Sequence, residues 1–209
     1  MIPQQADKPT VAAFDFDGTL TRRDTLFPFL LYLVGPAVFA RHMLVLSPVL
    51  AAYGLRLMRN DVAKEKVLAR FLRGMNIDAL QEKATQFALK KLPQLLRKEA
   101  MQRLAWHKKQ GHRCVVISAS LELYVQPWAI KAGFDDVIAS HLETQADGLI
   151  SGNLAGKNCY GSEKIRRLEA LLGSASGYTL YAYGDSRGDR ELLAAADHAY
   201  YRHIPNSFS

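Results

Sequence analysis

Three short apolar runs divide the chain, and each of them ends in small polar residues. The runs cover residues 11–14, 114–117 and 178–183, and the residues that follow them include Asp15, Ser118 and Asp185. Apolar runs of this length that stop at polar turns are typical of strands buried on both faces. Helical patterns lie around these runs, over residues 94–110, 121–132 and 162–172.

Strands that alternate with helices predict an α/β fold, with a Rossmann-like parallel sheet covered by helices on both faces. Ligands of such sheets bind outside the carboxyl ends of the strands. The three polar strand ends, which are far apart in sequence, should therefore meet in one crevice.

Residues 21–92 have no strand pattern and predict a helical cap inserted into the sheet domain. The catalytic core would then comprise residues 1–20 and 93–209. Two amphipathic helices are predicted within the cap, over residues 62–71 with Asp61 as N-cap and over residues 80–92 with Asp78 as N-cap.

A smaller pattern follows within the core, over residues 137–156. The turn signal Asp147-Gly148 lies between two apolar pairs, Val137-Ile138 and Leu149-Ile150. It predicts a β-hairpin appended to the sheet.

One stretch of the cap is apolar enough to raise the question of a membrane. Residues 26–58 contain only two charged residues, Arg41 and Arg56, but Arg41 with His42 separates charge-free pieces of 16 residues (25–40) and 14 residues (42–55). Both pieces are shorter than the roughly 20 residues that span a bilayer. Prolines interrupt the stretch further, at positions 28, 36 and 48.

Two interpretations of residues 26–58 stay open. They form either a helical pair that packs in the core of the cap or a hairpin that enters a membrane surface and makes peripheral contact with it. In the second case a set of arginines would contact anionic lipid: Arg22, Arg23, Arg41, Arg56 and Arg59.

Composition narrows the classes of function. A chain of 209 residues with 49% hydrophobic and 22% charged side chains can bury a core and is not of disordered composition. The net charge of +7 favours anionic ligands: nucleic acid, acidic lipid or phosphorylated metabolites. No interleaving of basic and aromatic residues supports nucleic-acid binding, and charge alone does not choose between a lipid and a phosphorylated small molecule.

The cysteines and the N-terminal residues predict the compartment. Cys114 and Cys159 form no CxxC pair, which argues against a zinc site and a disulfide framework. The first ten residues, MIPQQADKPT, are polar and lack the pattern of a secretory signal. We expect a cytoplasmic protein, either free or associated with the inner face of the cytoplasmic membrane.

The first strand end carries residues suited to phosphate chemistry. Asp15 and Asp17 lie two positions apart, and a turn at Gly18 can aim both at one phosphorus atom. One carboxylate can attack while the other transfers protons. Backbone N–H groups at Gly18 can donate to a phosphate, and the Thr19 hydroxyl can brace the loop.

These residues resemble the first motif of the haloacid dehalogenase superfamily, which is DxDx[TV] after an apolar strand. In this chain the segment reads FDFDGT over residues 14–19. The other three motifs follow in the expected order: Ser118 after the second strand, Lys164 at a helix start, and residues 184–189 after the third strand.

The resemblance implies a Mg²⁺-dependent phosphatase. Asp15 would form an aspartyl-phosphate, and Asp17 would protonate the leaving oxygen and then activate water. Ser118, Lys164, Gly18 and Thr19 would bind the phosphoryl oxygens. Mg²⁺ would be held by the Asp15 carboxylate, the Asp17 backbone carbonyl and Asp185, and Asp189 would support the metal or orient Lys164.

A helical cap between the first and second motifs resembles the phosphoserine phosphatase-like branch of the superfamily. Phosphoserine phosphatases carry a Glu nine residues after the nucleophile, where this chain has Asp24. Bacterial C-type phosphatidylglycerophosphatases show a similar Asp, an apolar cap and a Gly-x-Glu-Lys run, here residues 161–164. This second likeness implies a lipid phosphate substrate, with Asp24 as a candidate specificity residue.

Several alternatives remain. Asp24 can equally be an N-cap of the first cap helix. The substrate can be a small soluble metabolite such as phosphoserine, and phosphoryl transfer to a second substrate is not excluded. In a different class, the chain can be a non-catalytic protein that binds a membrane surface, although such a binder needs no pair of nucleophile and acid.

Overall fold

A computed structural model describes residues 8–205. Residues 1–7, which include most of the polar N-terminal segment interpreted above, lie outside the described residues. The strands are β1 (Thr10–Phe14), β2 (Arg113–Leu121), β3 (Asp136–Ser140), β4 (Leu142–Thr144), β5 (Ile150–Leu154), β6 (Thr179–Gly184) and β7 (His198–Tyr201). The helices are α1 (Leu26–Val34), α2 (Pro36–Gly54), α3 (Asn60–Leu72), α4 (Ile77–Lys90), α5 (Lys98–Lys109), α6 (Glu122–Ala132), α7 (Ser162–Leu172) and α8 (Arg190–Ala194).

Five strands form one parallel sheet in the order β3-β2-β1-β6-β7, which confirms the predicted α/β fold. The central strand β1 is buried on both faces. Val11 and Ala13 pack on one side and Ala12 and Phe14 on the other, as the two-residue period of a strand requires.

The register of the sheet brings the three polar strand ends together. Phe14 is paired with Val116 of β2 and with Tyr183 of β6. The next residue, Asp15, donates its N–H to the Tyr183 carbonyl at 2.9 Å. The predicted crevice therefore lies at the carboxyl ends of these three neighbouring strands.

Helices α1–α4 lie between β1 and β2 in the chain, within the range predicted for the cap. The predicted domain limits at residues 21 and 92 stay a prediction. The cap helices contact the core through aromatic rings: Phe29 of α1 and Phe87 of α4 both lie against Tyr124 of α6, with ring centroids 5.0 and 5.6 Å away.

The strands of the predicted hairpin and the N-caps of two cap helices were predicted wrongly. The hairpin is formed by β4 and β5, because Val137 and Ile138 belong to β3 of the parallel sheet. It packs on the cap, since the Ile150 N–H donates to the Met75 carbonyl at 2.9 Å. The N-cap positions also differ: Arg59 and Asn76 precede α3 and α4, in place of Asp61 and Asp78.

The apolar stretch folds as a helical pair, with α1 and α2 joined at Gly35. Helix α2 runs for 19 residues through Pro48, so this proline does not interrupt the stretch as expected. Among residues 8–205 it is the one helix long and apolar enough to cross a membrane by length and composition. Only Leu46 of this helix is buried, whereas α1 buries Phe29 and Leu30.

Candidate active site

Asp15 lies at the centre of the crevice, in contact with a buried lysine. Asp15 follows β1 directly and is 5% exposed as a residue. Lys164, in the first turn of α7, donates to Asp15 Oδ1 at 2.5 Å and to Asp189 Oδ1 at 2.6 Å. One buried ammonium group therefore bridges two buried carboxylates.

The electrostatics of this triad follow from burial and from the central cation. Burial raises the pKa of Asp15 to about 8, although Lys164 opposes this shift. Burial disfavours the charged form of Lys164, but the two carboxylates outweigh it and raise the pKa of the lysine. Burial would also raise the pKa of Asp189, yet Lys164 and hydrogen bonds from Ser186 hold this pKa below its usual value.

Both carboxylate oxygens of Asp189 are engaged. While Oδ1 contacts Lys164, Oδ2 accepts hydrogen bonds from the Asp185 N–H at 3.2 Å, the Ser186 N–H at 2.9 Å and the Ser186 hydroxyl at 2.8 Å. Asp189 thereby orients Lys164 and fixes the turn that carries Asp185. This geometry is compatible with the second of the two roles considered for it, and both roles stay predictions.

Asp185 offers an oxygen with no partner. Its Oδ1 atom is buried and has no hydrogen-bond partner among the described residues. One oxygen each of Asp15, Asp185 and Asp189 lie within 4.8 Å of one another. Burial and the Asp189 charge raise the pKa of Asp185. A cluster of carboxylates with an unsatisfied oxygen fits a hard divalent cation.

Asp17 faces the boundary between core and cap. Its Oδ1 accepts hydrogen bonds from the Thr25 N–H at 2.8 Å and the Thr25 hydroxyl at 2.7 Å, and its Oδ2 accepts one from the Ser120 hydroxyl. Burial and the nearby charge of Asp24 raise the pKa of Asp17 to about 7. A carboxyl group that titrates near neutral pH is suited to accept and donate protons.

The turn after Asp17 requires glycine. Gly18 has a φ of +80°, and a Cβ atom there would lie 2.2 Å from Asp185 Oδ2. The Arg97 guanidinium donates to the Gly18 carbonyl at 3.0 Å, which holds the turn in place.

The structure does not place Thr19 in the crevice. Its side chain is buried outside the cavity lining, and its hydroxyl has no partner among the described residues. The bracing role expected of Thr19 belongs to Thr21, whose hydroxyl lies 2.8 Å from the Arg23 carbonyl and 3.4 Å from the Gly18 nitrogen. A phosphate contact through the Thr19 side chain has no support in this geometry.

The crevice continues into a cavity of about 580 Å³ between core and cap. Its core side includes the predicted residues Asp15, Asp17, Gly18, Ser118, Lys164 and Asp185. Ser118 is 1% exposed and its hydroxyl accepts the Ser120 N–H at 2.8 Å. The cap side is both apolar and charged: Leu26, Phe27, Leu50, Tyr53, Val67, Arg22, Arg23, Asp24 and Lys64.

Comparison with known families decides the assignment. The family described as haloacid dehalogenase-like hydrolase has a model that matches residues 12–194, a range that contains all four predicted motifs. The chain belongs to the haloacid dehalogenase-like hydrolases. The predicted membership of this superfamily is confirmed, while the resemblance to C-type phosphatidylglycerophosphatases stays a prediction.

Similar proteins cover almost the whole hydrolase. Protein CicA of Caulobacter vibrioides is 37% identical over 202 residues, which is 97% of this chain and 90% of that protein. A solved protein of unknown function from Bordetella pertussis Tohama I matches with a TM-score of 0.78 and 23% identity, over 90% of this chain and 87% of that one. A phospho-aspartyl intermediate analogue of phosphoserine phosphatase matches with a TM-score of 0.59 and 18% identity, over 91% of this chain and 84% of that one. The two structural likenesses support the fold.

Asp24 lies just before the N-cap of helix α1. Thr25 is the N-cap of α1, and Asp24, one residue earlier, accepts hydrogen bonds at its Oδ1 from the Leu26 N–H at 3.0 Å and the Phe27 N–H at 3.5 Å. It also lines the cavity. Asp24 is therefore not the predicted N-cap, although these hydrogen bonds hold its carboxylate at the cavity wall.

Sequence reasoning missed several residues of this hydrolase site. Ser120 and Thr25 hold Asp17, and Lys64 of α3 contacts the core. Ser120 had a signal, because it lies among the polar residues at the end of the second strand. Thr25 and Lys64 had none, since their partners are distant in sequence.

We expect Gly18→Ala to lower both stability and hydrolase activity strongly. A matched control is Gly111→Ala: Gly111 has a φ of +73°, and a Cβ atom there would meet no heavy atom within 4 Å. The control should lose about 1 kcal/mol of unfolding free energy for the left-handed conformation alone and keep its activity. Urea unfolding and a turnover assay measure both effects. Equal losses in the two variants would contradict the close contact between Gly18 and Asp185.

Proposed function

We propose that this haloacid dehalogenase-like hydrolase is a Mg²⁺-dependent phosphomonoesterase that works through an aspartyl-phosphate. The observation that carries the proposal is the pairing of Asp15 with Asp17 at one strand end. Asp15 is buried against a lysine, and Asp17 has a pKa raised to about 7. A nucleophile and a proton carrier are thus available within three residues.

Both chemical steps use these side chains. A carboxylate oxygen of Asp15 attacks phosphorus, the bond to the leaving oxygen breaks, and Asp17 gives that oxygen a proton. A water molecule then gives a proton to Asp17 and attacks the same phosphorus, which releases phosphate and restores Asp15. Ser118, Lys164 and the Gly18 N–H bind the phosphoryl oxygens during both steps.

The metal proposal rests on the buried, unpartnered Asp185 Oδ1 and the three clustered carboxylates. The Asp15 carboxylate, the Asp17 backbone carbonyl and Asp185 would hold Mg²⁺, because the Asp17 side chain is engaged by Thr25 and Ser120. A bound Mg²⁺ would supply positive charge to the phosphoryl oxygens and lower the pKa of Asp15.

For the substrate we favour a lipid phosphate such as phosphatidylglycerophosphate. The cavity combines carboxylates and a lysine at one end with apolar cap side chains at the other, among them Leu26, Phe27 and Leu50. An amphiphilic substrate would satisfy both ends. The second candidate is a soluble phosphoester with a carboxylate, such as phosphoserine, which the basic residues Arg22 and Arg23 at the cavity would suit.

We further propose that α2 and the residues after it make peripheral contact with the cytoplasmic membrane from its inner face. Leu44, Leu55 and Leu57 are 74%, 71% and 79% exposed. Exposed apolar residues in such number, with Arg41 and Arg56 beside them in sequence, are suited to an anionic lipid surface.

The test of the substrate class is phosphate release by the purified protein. Phosphatidylglycerophosphate in detergent micelles is compared with phosphoserine and a panel of soluble phosphoesters, with Mg²⁺ and with EDTA. We expect the highest kcat/KM on the lipid and no turnover in EDTA until Mg²⁺ is restored. Preference for a soluble ester would contradict the lipid substrate and leave the phosphatase chemistry standing, and full turnover in EDTA would contradict the metal.

The membrane proposal has its own test. Leu44→Asp combined with Val45→Asp should weaken binding to phosphatidylglycerol vesicles by about 10-fold or more, because each buried aliphatic side chain contributes roughly 1.5–3 kcal/mol. Turnover of a soluble ester should not change. Leu171→Asp on α7, where the leucine is 44% exposed, is the control. Equal vesicle sedimentation of both variants and the wild type would contradict contact through α2.

A further inference from the structure

A second lysine, partly buried, enters the cavity from the cap. Lys64 of α3 is next to the buried residue Ala63 and one turn before the buried Val67. Its ammonium group donates to the Ala119 carbonyl and, at 2.8 Å, to Asn158 Oδ1. Both acceptors belong to the core, so this side chain crosses the cavity boundary between cap and core.

The charge of Lys64 is poorly compensated. Its two acceptors are neutral, and no carboxylate forms an ion pair with it anywhere in residues 8–205. Burial lowers its pKa to about 8, against the more distant charges of Asp17 and Asp24. Lys164, by contrast, is neutralised by Asp15 and Asp189. A desolvated cation without a counterion is stabilised by an incoming anion.

Lys64 is also held in a fixed position. Asn158 accepts a hydrogen bond from the Ser140 hydroxyl at 2.9 Å and donates one to Asn60 Oδ1 at 3.2 Å. Asn60 in turn donates to the Tyr53 hydroxyl at 3.0 Å. An ammonium group has three N–H donors, and two of them are used here. The third can bind an anion without loss of either existing contact.

The leaving group of a phosphoester would extend towards this lysine. Asp17, the proposed acid for the leaving oxygen, faces the cap through Thr25. Lys64 contacts Ala119, the residue between Ser118 and Ser120, and both serines line the cavity. The cap side of Asp17 is therefore the side on which Lys64 lies.

We propose that Lys64 determines specificity by binding a second anionic group of the substrate, carried on the leaving group, such as a carboxylate or a phosphodiester. This inference rests on the proposed phosphatase function. The two lysines then have different roles. Lys164 binds the phosphoryl group that is transferred, and Lys64 binds the anion that stays with the alcohol product.

Matched substrate pairs test this role. Phosphoserine is compared with phosphoethanolamine, which lacks the carboxylate, and phosphatidylglycerophosphate is compared with phosphatidic acid, which lacks the phosphodiester. In Lys64→Gln, kcat/KM should fall about 10- to 100-fold more for the doubly anionic member of the preferred pair, mainly through KM. Lys64→Arg should retain most of the selectivity. Lys66→Met, at an exposed position on the same helix, should leave kcat/KM unchanged for both members of each pair.

The outcomes separate this role from a structural one. Because Lys64 joins cap and core, Lys64→Met is measured beside Lys64→Gln, and thermal unfolding identifies a variant that fails to fold. If kcat/KM of Lys64→Gln falls equally for both members of each pair, while the wild type turns them over, the role of Lys64 is overturned and the phosphatase function stands. Absence of wild-type turnover on every phosphoester would overturn the phosphatase and this inference with it. The pair that depends on Lys64 identifies the second anion as carboxylate or phosphodiester.

Discussion

Replacement of Asp15 by Asn should reduce phosphate release by a factor on the order of 10⁴ or more, because an amide cannot attack phosphorus to form the covalent intermediate. The loss should appear in kcat with every phosphoester, since it removes the chemical step common to all of them. Steady-state phosphate release with saturating Mg²⁺ measures it.

The fold of Asp15→Asn should be retained. Asn keeps an oxygen that can accept from Lys164, and it removes a carboxylate whose pKa is raised to about 8 by burial. Unchanged circular dichroism and an intact mass, which excludes deamidation back to Asp, are the controls. Turnover near the wild-type rate in a variant of verified mass would contradict the nucleophilic role of Asp15.

The second large effect is expected for Lys164→Met, which leaves Asp15 and Asp189 buried without their shared cation. Removal of one partner from a buried ion pair costs about 3–5 kcal/mol of unfolding free energy. Phosphate release should also be lost, because the phosphoryl oxygens lose a cation. Urea unfolding at neutral pH in EDTA isolates the effect on stability from that of a bound metal.

A double variant distinguishes charge from packing. Lys164→Met combined with Asp189→Asn removes one carboxylate and keeps a side-chain oxygen that can accept from Ser186, as Asp189 Oδ2 does. It should regain part of the lost stability and none of the activity. If instead the losses of the two single variants simply add, the stability effect is due to packing and the electrostatic coupling is refuted.

The sheet could be predicted from the sequence because its signals are local. Residues 11–14, 114–117 and 178–183 are apolar runs with polar ends, and apart from Tyr178, which precedes β6, they lie in the buried central strands. Helix α7 was predicted with its limits, residues 162–172. The helix before β2 begins at Lys98 because residues 92–95 form a separate 3₁₀ turn.

Two predictions failed because they depend on the path of the chain in three dimensions, which local sequence patterns do not give. Val137 and Ile138 have the pattern of a hairpin strand, but the open edge of β2 pairs with them in parallel. Thr19 and Thr21 look equivalent in the sequence, and only the path of the loop turns Thr21 towards the Gly18 nitrogen.

The burial of the apolar cap helices could not be predicted from the sequence either. The sequence could not decide between a buried and an exposed apolar pair, because the pattern of α2 is apolar on most of its circumference. In the structure α1 buries Phe29 and Leu30 in the core, while α2 fully buries only Leu46 and packs partly buried side chains such as Phe39 and Met43 against it. Lys64 is one of many lysines in the sequence, and only its contacts with Ala119 and Asn158 distinguish it.

The most direct test of the central claim is to trap a phosphorylated Asp15. The Asp17→Asn variant, which lacks the group that activates water, is mixed with p-nitrophenyl phosphate and Mg²⁺, quenched in acid, reduced with borohydride and digested for mass spectrometry. We expect the peptide that contains residue 15 to carry homoserine at that position, which marks an acyl phosphate, in this variant and to a lesser extent in the wild type. Phosphate release by the wild type without modification of Asp15 in either protein would contradict the aspartyl-phosphate mechanism.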